Sequence, residues 1–128
     1  MYIGRDRVLL TNYADFDSRM VERFRNTLKP SFKRVEELTF NTHRNPHKHS
    51  WAYINWLQTE QVLILPKFGI EEDEQALEQI SCLMPEYDGR IEMVDASDLV
   101  IHGGCFNCCS WTIREEPCRD LPSNESGL

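Results

Sequence analysis

The chain has 128 residues, of which 41% are hydrophobic and 27% are charged, as is ordinary for a single globular domain with a modest core. Its net charge of −7 argues against a general nucleic-acid binder, because such proteins present a basic face to phosphate. No apolar run approaches the roughly 20 residues of a membrane-spanning helix, and residues 1–10 do not resemble a signal peptide. We therefore expect a cytoplasmic protein that binds neither nucleic acid nor membrane.

The N-terminal part of the chain predicts a strand, a helix and a second strand. Residues 8–10 form a short apolar run that is typical of a strand. Asp15 and Asp17 are candidate N-caps, and apolar residues recur at helical spacing through residues 17–28, which predicts an amphipathic helix. Pro30 ends this helix, and residues 35–40 predict the next strand.

A polar segment with three histidines follows and is interpreted as a loop. It spans residues 41–50 and contains His43, His47 and His49. Such a group can be a metal or acid–base element, but solvated loop histidines are more common, and we favour that role.

The C-terminal part of the chain predicts four more strands and one long helix. Residues 51–57 are rich in aromatic residues, and residues 62–65 are continuously apolar, so both segments predict strands. Residues 71–84 show a helical apolar stripe, and we interpret their acidic first turn as solvated. Residues 91–94 and 99–101 predict the last two strands.

This order contains a repeat. Strand, helix, proline and strand run from residue 8 to residue 40, and the same series runs again from residue 62 to residue 101. The second copy is preceded by the additional predicted strand at residues 51–57. Because such modules do not bury a hydrophobic face alone, we expect self-association or a further portion upstream.

The cysteines cluster near the C-terminus, and their odd number argues against a disulfide framework; they are Cys82, Cys105, Cys108, Cys109 and Cys118. Cys105 and Cys108 have the spacing of half a zinc site, which His102, Cys109 or Cys118 could complete. Because a second pair at this spacing is absent from the sequence, we predict neither a metal nor another cofactor.

Two sequence blocks resemble a known family. The first reads WAYINWL at residues 51–57 and VLILPKFG at residues 62–69; the second reads VDA at residues 94–96 and HGGCFNC at residues 102–108. Agmatine deiminases show a similar order of a Tyr-x-Asn segment, an apolar strand, a helix, a Val-Asp-Ala turn and a glycine-rich nucleophile loop. The chain thus resembles the C-terminal portion of the guanidino-group-modifying superfamily, which includes agmatine deiminases and amidinotransferases.

The resemblance implies a fold and a domain arrangement. The implied fold class is α+β, in which repeated ββαβ modules form part of a pentein-type (α/β-propeller) fold. We accordingly expect a single truncated deiminase-like or amidinotransferase-like domain over residues 1–114. The polar residues 115–128 are expected to form a mobile tail.

The resemblance also implies the residues of a site. The family's catalytic cysteine corresponds to Cys108, while Gly103 and Gly104 let the backbone approach a substrate closely. Asn55 and Asn107 are the further candidates for substrate binding. The family's histidine before the cysteine is replaced here by Asn107, and no residue is assigned to the family's general base or to its guanidinium-binding carboxylates.

Two functions follow as hypotheses. In the first, the protein modifies the guanidino group of a small arginine-like cation through a covalent Cys108 intermediate, with the missing base supplied by a partner subunit. In the second, it is a non-catalytic scaffold or binding module, a truncated pseudoenzyme that self-associates or binds a protein partner. Cys108 would then be a buried inherited position, as free cysteines often are.

Overall fold

The computed structural model describes residues 1–42 and 46–113. The predictions for His43, Cys118 and the C-terminal tail lie outside these residues. The described part of the chain has mixed helix and strand structure, in agreement with the α+β expectation. None of its helices has the length and apolar character needed to cross a membrane.

The first unit is a parallel strand pair joined through helices. Its elements are β1 (Arg7–Leu10), α1 (Tyr13–Phe16), α2 (Ser18–Leu28) and β2 (Arg34–Glu37). Val8 of β1 is opposite Val35 of β2 in a parallel register. The side chain of Asp17 accepts hydrogen bonds from the backbone N–H groups of Arg19 and Met20, which confirms it as the cap of α2.

The second unit repeats this arrangement with one additional strand. Its elements are β3 (Leu57–Gln58), β4 (Leu63–Lys67), α3 (Glu72–Leu83), β5 (Ile91–Asp95) and α4 (Ser97–Val100). β4 pairs antiparallel with β3 and parallel with β5. In the first unit a single antiparallel bridge between Tyr2 and Val8 occupies the place that β3 has in the second.

Two predicted strands are helical instead. Residues 50–54 form a 3₁₀ helix (Ser50–Ile54) rather than the strand predicted over residues 51–57. This helix and the residues after it bury the side chains of Tyr53 and Trp56 completely. Residues 97–100 form α4 rather than a strand over residues 99–101, and the Asp95 carboxylate accepts a hydrogen bond from the Ser97 N–H at its start. Short apolar runs do not distinguish strand from helix, and here the tertiary environment decided.

One hydrophobic core joins the two units. Leu9 and Leu38 from the first unit lie in the same buried cluster as Tyr53, Trp56, Leu63, Leu65, Ile80 and Met84 from the second. Tyr53 and Trp56 therefore serve as core residues. The apolar stripe of α2 contributes less than expected, because Val21 is its one buried residue.

The acidic start of α3 is solvated only in part, because Glu71 and Glu74 are exposed while the two residues between them are not. Glu72 and Asp73 are both buried. Asp73 accepts hydrogen bonds from the Tyr53 hydroxyl and from the backbone N–H groups of Phe68, Gly69 and Ile70. These bonds compensate the charge that burial would otherwise penalise, and they tie the 3₁₀ helix to the end of β4.

Candidate active site

The segment that follows α4 is a series of turns carrying the cysteine cluster. Gly103 has a φ of +86°, a conformation that residues with a Cβ rarely adopt. The backbone N–H of Cys109 donates to the carbonyl oxygen of Cys105, which closes the turn containing Cys108. The Cys105 side chain is fully buried and anchors this turn to the core, whereas Cys108 is exposed.

Asn55 makes three hydrogen bonds to this cysteine turn. Its side-chain Nδ2 donates to Cys108 Sγ at 3.0 Å, and its Oδ1 accepts from the Cys108 backbone N–H at 3.1 Å. Its backbone carbonyl accepts from the Asn107 N–H, also at 3.1 Å. The structure thus brings three of the predicted site residues, Asn55, Asn107 and Cys108, into direct contact.

Gly104 leaves room for the Cys108 side chain. A Cβ placed on Gly104 would lie 3.0 Å from Cys108 Cβ and 3.5 Å from Cys108 Sγ. A Cβ on Gly103 would meet nothing within 4 Å. Glycine is therefore needed at the two positions for different reasons: Gly103 permits an unusual backbone conformation, and Gly104 permits close packing against Cys108.

The cysteines of the turn have contrasting environments. Burial raises the pKa of the Cys105 thiol, so this residue is held as a neutral packing group. Cys109 is exposed and lies in the same series of turns as Cys108. Within residues 1–42 and 46–113, no three His, Cys, Asp or Glu side chains converge in a geometry that could hold a metal ion.

None of the hydrogen bonds of Cys108 involves His47 or His49. His47 and His49 are half-buried rather than fully solvated, with ring centroids 5.1 Å apart, and the His47 backbone N–H donates to Glu72. Burial, followed by the neighbouring Lys48 and His47, lowers the pKa of His49. Among the described residues, no imidazole or carboxylate hydrogen-bonds Cys108 Sγ.

Sequence reasoning missed two side chains, Tyr53 and Asp73, whose hydrogen bond holds the 3₁₀ helix that ends immediately before Asn55. Asp73 was missed because it belongs to an acidic run that was interpreted as solvated. The available signal was the turn at Phe68 and Gly69, because a carboxylate a few residues after such a turn can accept its free N–H groups.

Comparison with known proteins places these features in a family context. The model of the Porphyromonas-type peptidyl-arginine deiminase family matches residues 2–113. A curated protein of Enterococcus faecalis (strain ATCC 700802 / V583), named "Putative agmatine deiminase", is 35% identical over 68 residues, which is 53% of this chain and 17% of that protein.

Two solved structures share the fold. The agmatine deiminase of Enterococcus faecalis superposes with a TM-score of 0.61 at 20% identity, covering 83% of this chain and 36% of its own. The agmatine deiminase of C. jejuni superposes with a TM-score of 0.57 at 19% identity, covering 84% of this chain and 35% of its own. The chain therefore spans about a third of the length of these solved relatives.

Proposed function

Since this chain belongs to the Porphyromonas-type peptidyl-arginine deiminase family, we propose that it modifies the guanidino group of a small arginine-like cation, with Cys108 as the nucleophile. The single observation that carries the proposal is the exposed Cys108 thiol, which lies in a glycine-rich turn and is held by Asn55. Cysteines that serve only in packing are usually buried, whereas Cys108 is exposed and its sulfur accepts a hydrogen bond from Asn55.

The proposed reaction proceeds through a covalent intermediate. The Cys108 thiolate attacks the guanidinium carbon, an S–C bond forms, and one nitrogen leaves as ammonia after accepting a proton. Water then attacks the amidino-thioether, the S–C bond breaks, and a ureido product is released. Amidino transfer would follow only if the substituted nitrogen left as an amine in the first step and a second amine took the place of water in the next. The relatives named agmatine deiminases suggest agmatine as the first substrate to examine.

The remaining predicted residues lie within five positions of Cys108 along the chain. We propose that Gly103 and Gly104 expose the backbone to the substrate, and that Asn107, which is exposed beside Cys108, contacts it. The acid–base group and the carboxylates that hold the cation are proposed to come from a second subunit or from a further portion of the protein. The two strand–helix–strand units are, in the same proposal, ββαβ modules of a propeller-type domain over residues 1–114.

The experiment that tests this function measures ureido product from agmatine, free arginine and peptidyl-arginine. Cys108→Ala should abolish product formation, while the matched control Cys82→Ala, which removes an exposed cysteine on α3, should retain it. A cationic haloacetamidine probe should label Cys108 selectively. Turnover that persists in Cys108→Ala, or uniform labelling of the exposed cysteines, would overturn the proposal.

A second candidate, a non-catalytic scaffold that self-associates or binds a protein, is favoured by an apolar surface on α1 and α2. Phe16, Met20 and Phe24 are 52%, 40% and 38% exposed. Phe16 and Met20 line a groove of about 380 Å³ together with Tyr13, Asp17, Lys48 and Trp51, and Phe24 packs on the Tyr13 ring. Light scattering of the wild type and of Met20→Glu tests this function: no ureido product, with association that the substitution abolishes, would support it.

A further inference from the structure

We propose that Cys105 and Cys108 form a dithiol–disulfide site, in which a low-molecular-weight disulfide oxidises the two thiols to an intramolecular disulfide. Oxidation occupies Cys108 Sγ and removes it from any other reaction until a thiol reduces the bond again. The proposal is independent of the proposed function, because it concerns the two thiols alone and requires no guanidino substrate.

The cysteine turn, residues 105–109, brings these two residues to a separation that a disulfide can span. The Cys109 N–H donates to the Cys105 carbonyl oxygen at 3.1 Å, which is the hydrogen-bond pattern of one α-helical turn. Residues three apart in such a turn have Cα atoms about 5 Å apart, within the range of about 4.4–6.8 Å that disulfides use. Cys108 and Cys109 are joined by a trans peptide, so their Cα atoms are only about 3.8 Å apart, which is too close.

The Cys108 side chain folds back toward the start of this turn. A Cβ placed on Gly104, the residue directly before Cys105, would lie 3.0 Å from Cys108 Cβ and 3.5 Å from Cys108 Sγ. No atom of Cys109 comes within 4 Å of the same position. Cys108 is therefore the thiol that lies beside the backbone carrying Cys105, and we assign it rather than Cys109 as the partner.

The two thiols differ in exposure, and this difference sets the order of the reaction. Cys108 is exposed, so its thiolate attacks one sulfur of the small disulfide, whose S–S bond breaks and releases one small thiol. Cys105 is fully buried and does not meet the reagent directly. Its thiol instead loses its proton and attacks Cys108 Sγ in the mixed disulfide, and the second small thiol leaves. Two protein thiols are thus oxidised while one disulfide is reduced to two thiols.

The environment of Cys105 suits the second step and not the first. Burial raises the pKa of Cys105, and the neighbouring Cys109 and Cys108 thiols raise it further. A buried neutral thiol is a poor target for reagents in solution. In the mixed disulfide, however, its target lies in the same turn, and this proximity compensates for the small thiolate fraction.

Three matched variants determine which pair of cysteines closes. Cys109→Ser leaves Cys105 with Cys108, Cys105→Ser leaves Cys108 with Cys109, and Cys108→Ser leaves Cys105 with Cys109. Each protein is equilibrated with mixtures of reduced and oxidised glutathione, quenched with acid, and alkylated after unfolding. Trypsin releases residues 91–114 as one peptide that excludes the other cysteines, so mass spectrometry distinguishes its alkylated thiols, its glutathione adducts and its internal disulfide.

Cys109→Ser should form the internal disulfide with an equilibrium constant at least about tenfold above that of either other variant, a difference of about 30 mV for this two-electron couple. Dithiothreitol should reverse the reaction. An equal or larger constant in Cys105→Ser or Cys108→Ser overturns the proposal, and so does a Cys109→Ser peptide that carries only glutathione adducts. Because the Cys109 side chain is exposed, this last result stands even if circular dichroism shows that Cys105→Ser is unfolded.

Parallel assays of ureido product distinguish this site from the proposed function. An internal disulfide in a protein without turnover supports the dithiol site and counts against the function alone. Turnover that depends on Cys108, in a protein that forms no internal disulfide, supports the function and overturns the dithiol site.

Discussion

The hydroxyl oxygen of Tyr53 lies 2.7 Å from Oδ1 of Asp73, and both side chains are buried. This contact joins the 3₁₀ helix that precedes Asn55 to the first turn of α3. Asp73 also accepts three backbone N–H groups at the end of β4, so one carboxylate connects three segments of the chain. The 3₁₀ helix held by this contact ends at Ile54, one residue before Asn55.

Tyr53→Phe should lower the free energy of unfolding by about 1–3 kcal/mol, because it removes a buried hydrogen bond to a carboxylate without removing the ring. The comparison is Tyr13→Phe, since the Tyr13 ring packs on Phe24 and its hydroxyl makes no hydrogen bond within the described residues. Urea unfolding followed by circular dichroism measures both. Equal stability of the two variants would contradict the role assigned to the Tyr53 hydroxyl.

The same tyrosine should make the protein sensitive to alkaline pH. Burial, and then the hydrogen bond to Asp73, raises the pKa of Tyr53 above its ordinary value of 10.0. Above pH ~10 the unfolded chain releases the tyrosine proton while the folded protein retains it, so stability falls as pH rises. Below that pH, Tyr53 is protonated in both states, so its hydrogen bond contributes fully to the free energy of unfolding.

Urea midpoints measured from pH ~8 to pH ~11 test this dependence. The difference in stability between the wild type and Tyr53→Phe should be constant up to pH ~10 and should narrow above it. A difference that stays constant over the whole range would show that Tyr53 ionises normally in the folded protein.

The two glycines of the turn should respond differently to a methyl group. Gly103→Ala places a side chain in the left-handed region, where the strain is roughly 1–2 kcal/mol, but it creates no contact with Cys108. Gly104→Ala crowds the Cys108 side chain, with an overpacking cost of about 1–3 kcal/mol. Thermal unfolding measures the loss of stability in each variant. The rate at which iodoacetamide alkylates Cys108 distinguishes the two variants, since only Gly104→Ala should change it.

Cys105 and Cys108 should be modified in sequence rather than together. Cys105 is buried and its pKa is raised by that burial, so it should react with iodoacetamide only after unfolding. Cys108 is exposed and should react in the native protein. Mass spectrometry before and after addition of urea measures the order, and native-state labelling of Cys105 at the rate of Cys108 would contradict this account of the turn.

The long elements could be predicted because their signals are local. The strand β1, the capped helix α2, and the series β4, α3 and β5 follow from apolar spacing, from the Asp17 cap and from proline positions. The glycine-rich segment around Cys108 was identified by its resemblance to the nucleophile loop of agmatine deiminases. Each of these features depends on residues that are neighbours along the chain.

Tertiary structure alone decided the rest. Residues 51–57 have the composition of a strand. Residues 50–54 form a 3₁₀ helix instead, in which the buried Tyr53 hydroxyl donates to Asp73, 20 residues away. The contact between Asn55 and Cys108 joins residues 53 positions apart, and no periodicity records such a pairing. The sequence by itself determined where the candidate nucleophile, Cys108, lies along the chain. Which side chain faces its sulfur was decided by packing, because a hydrogen bond between distant residues exists only after the core has brought them together.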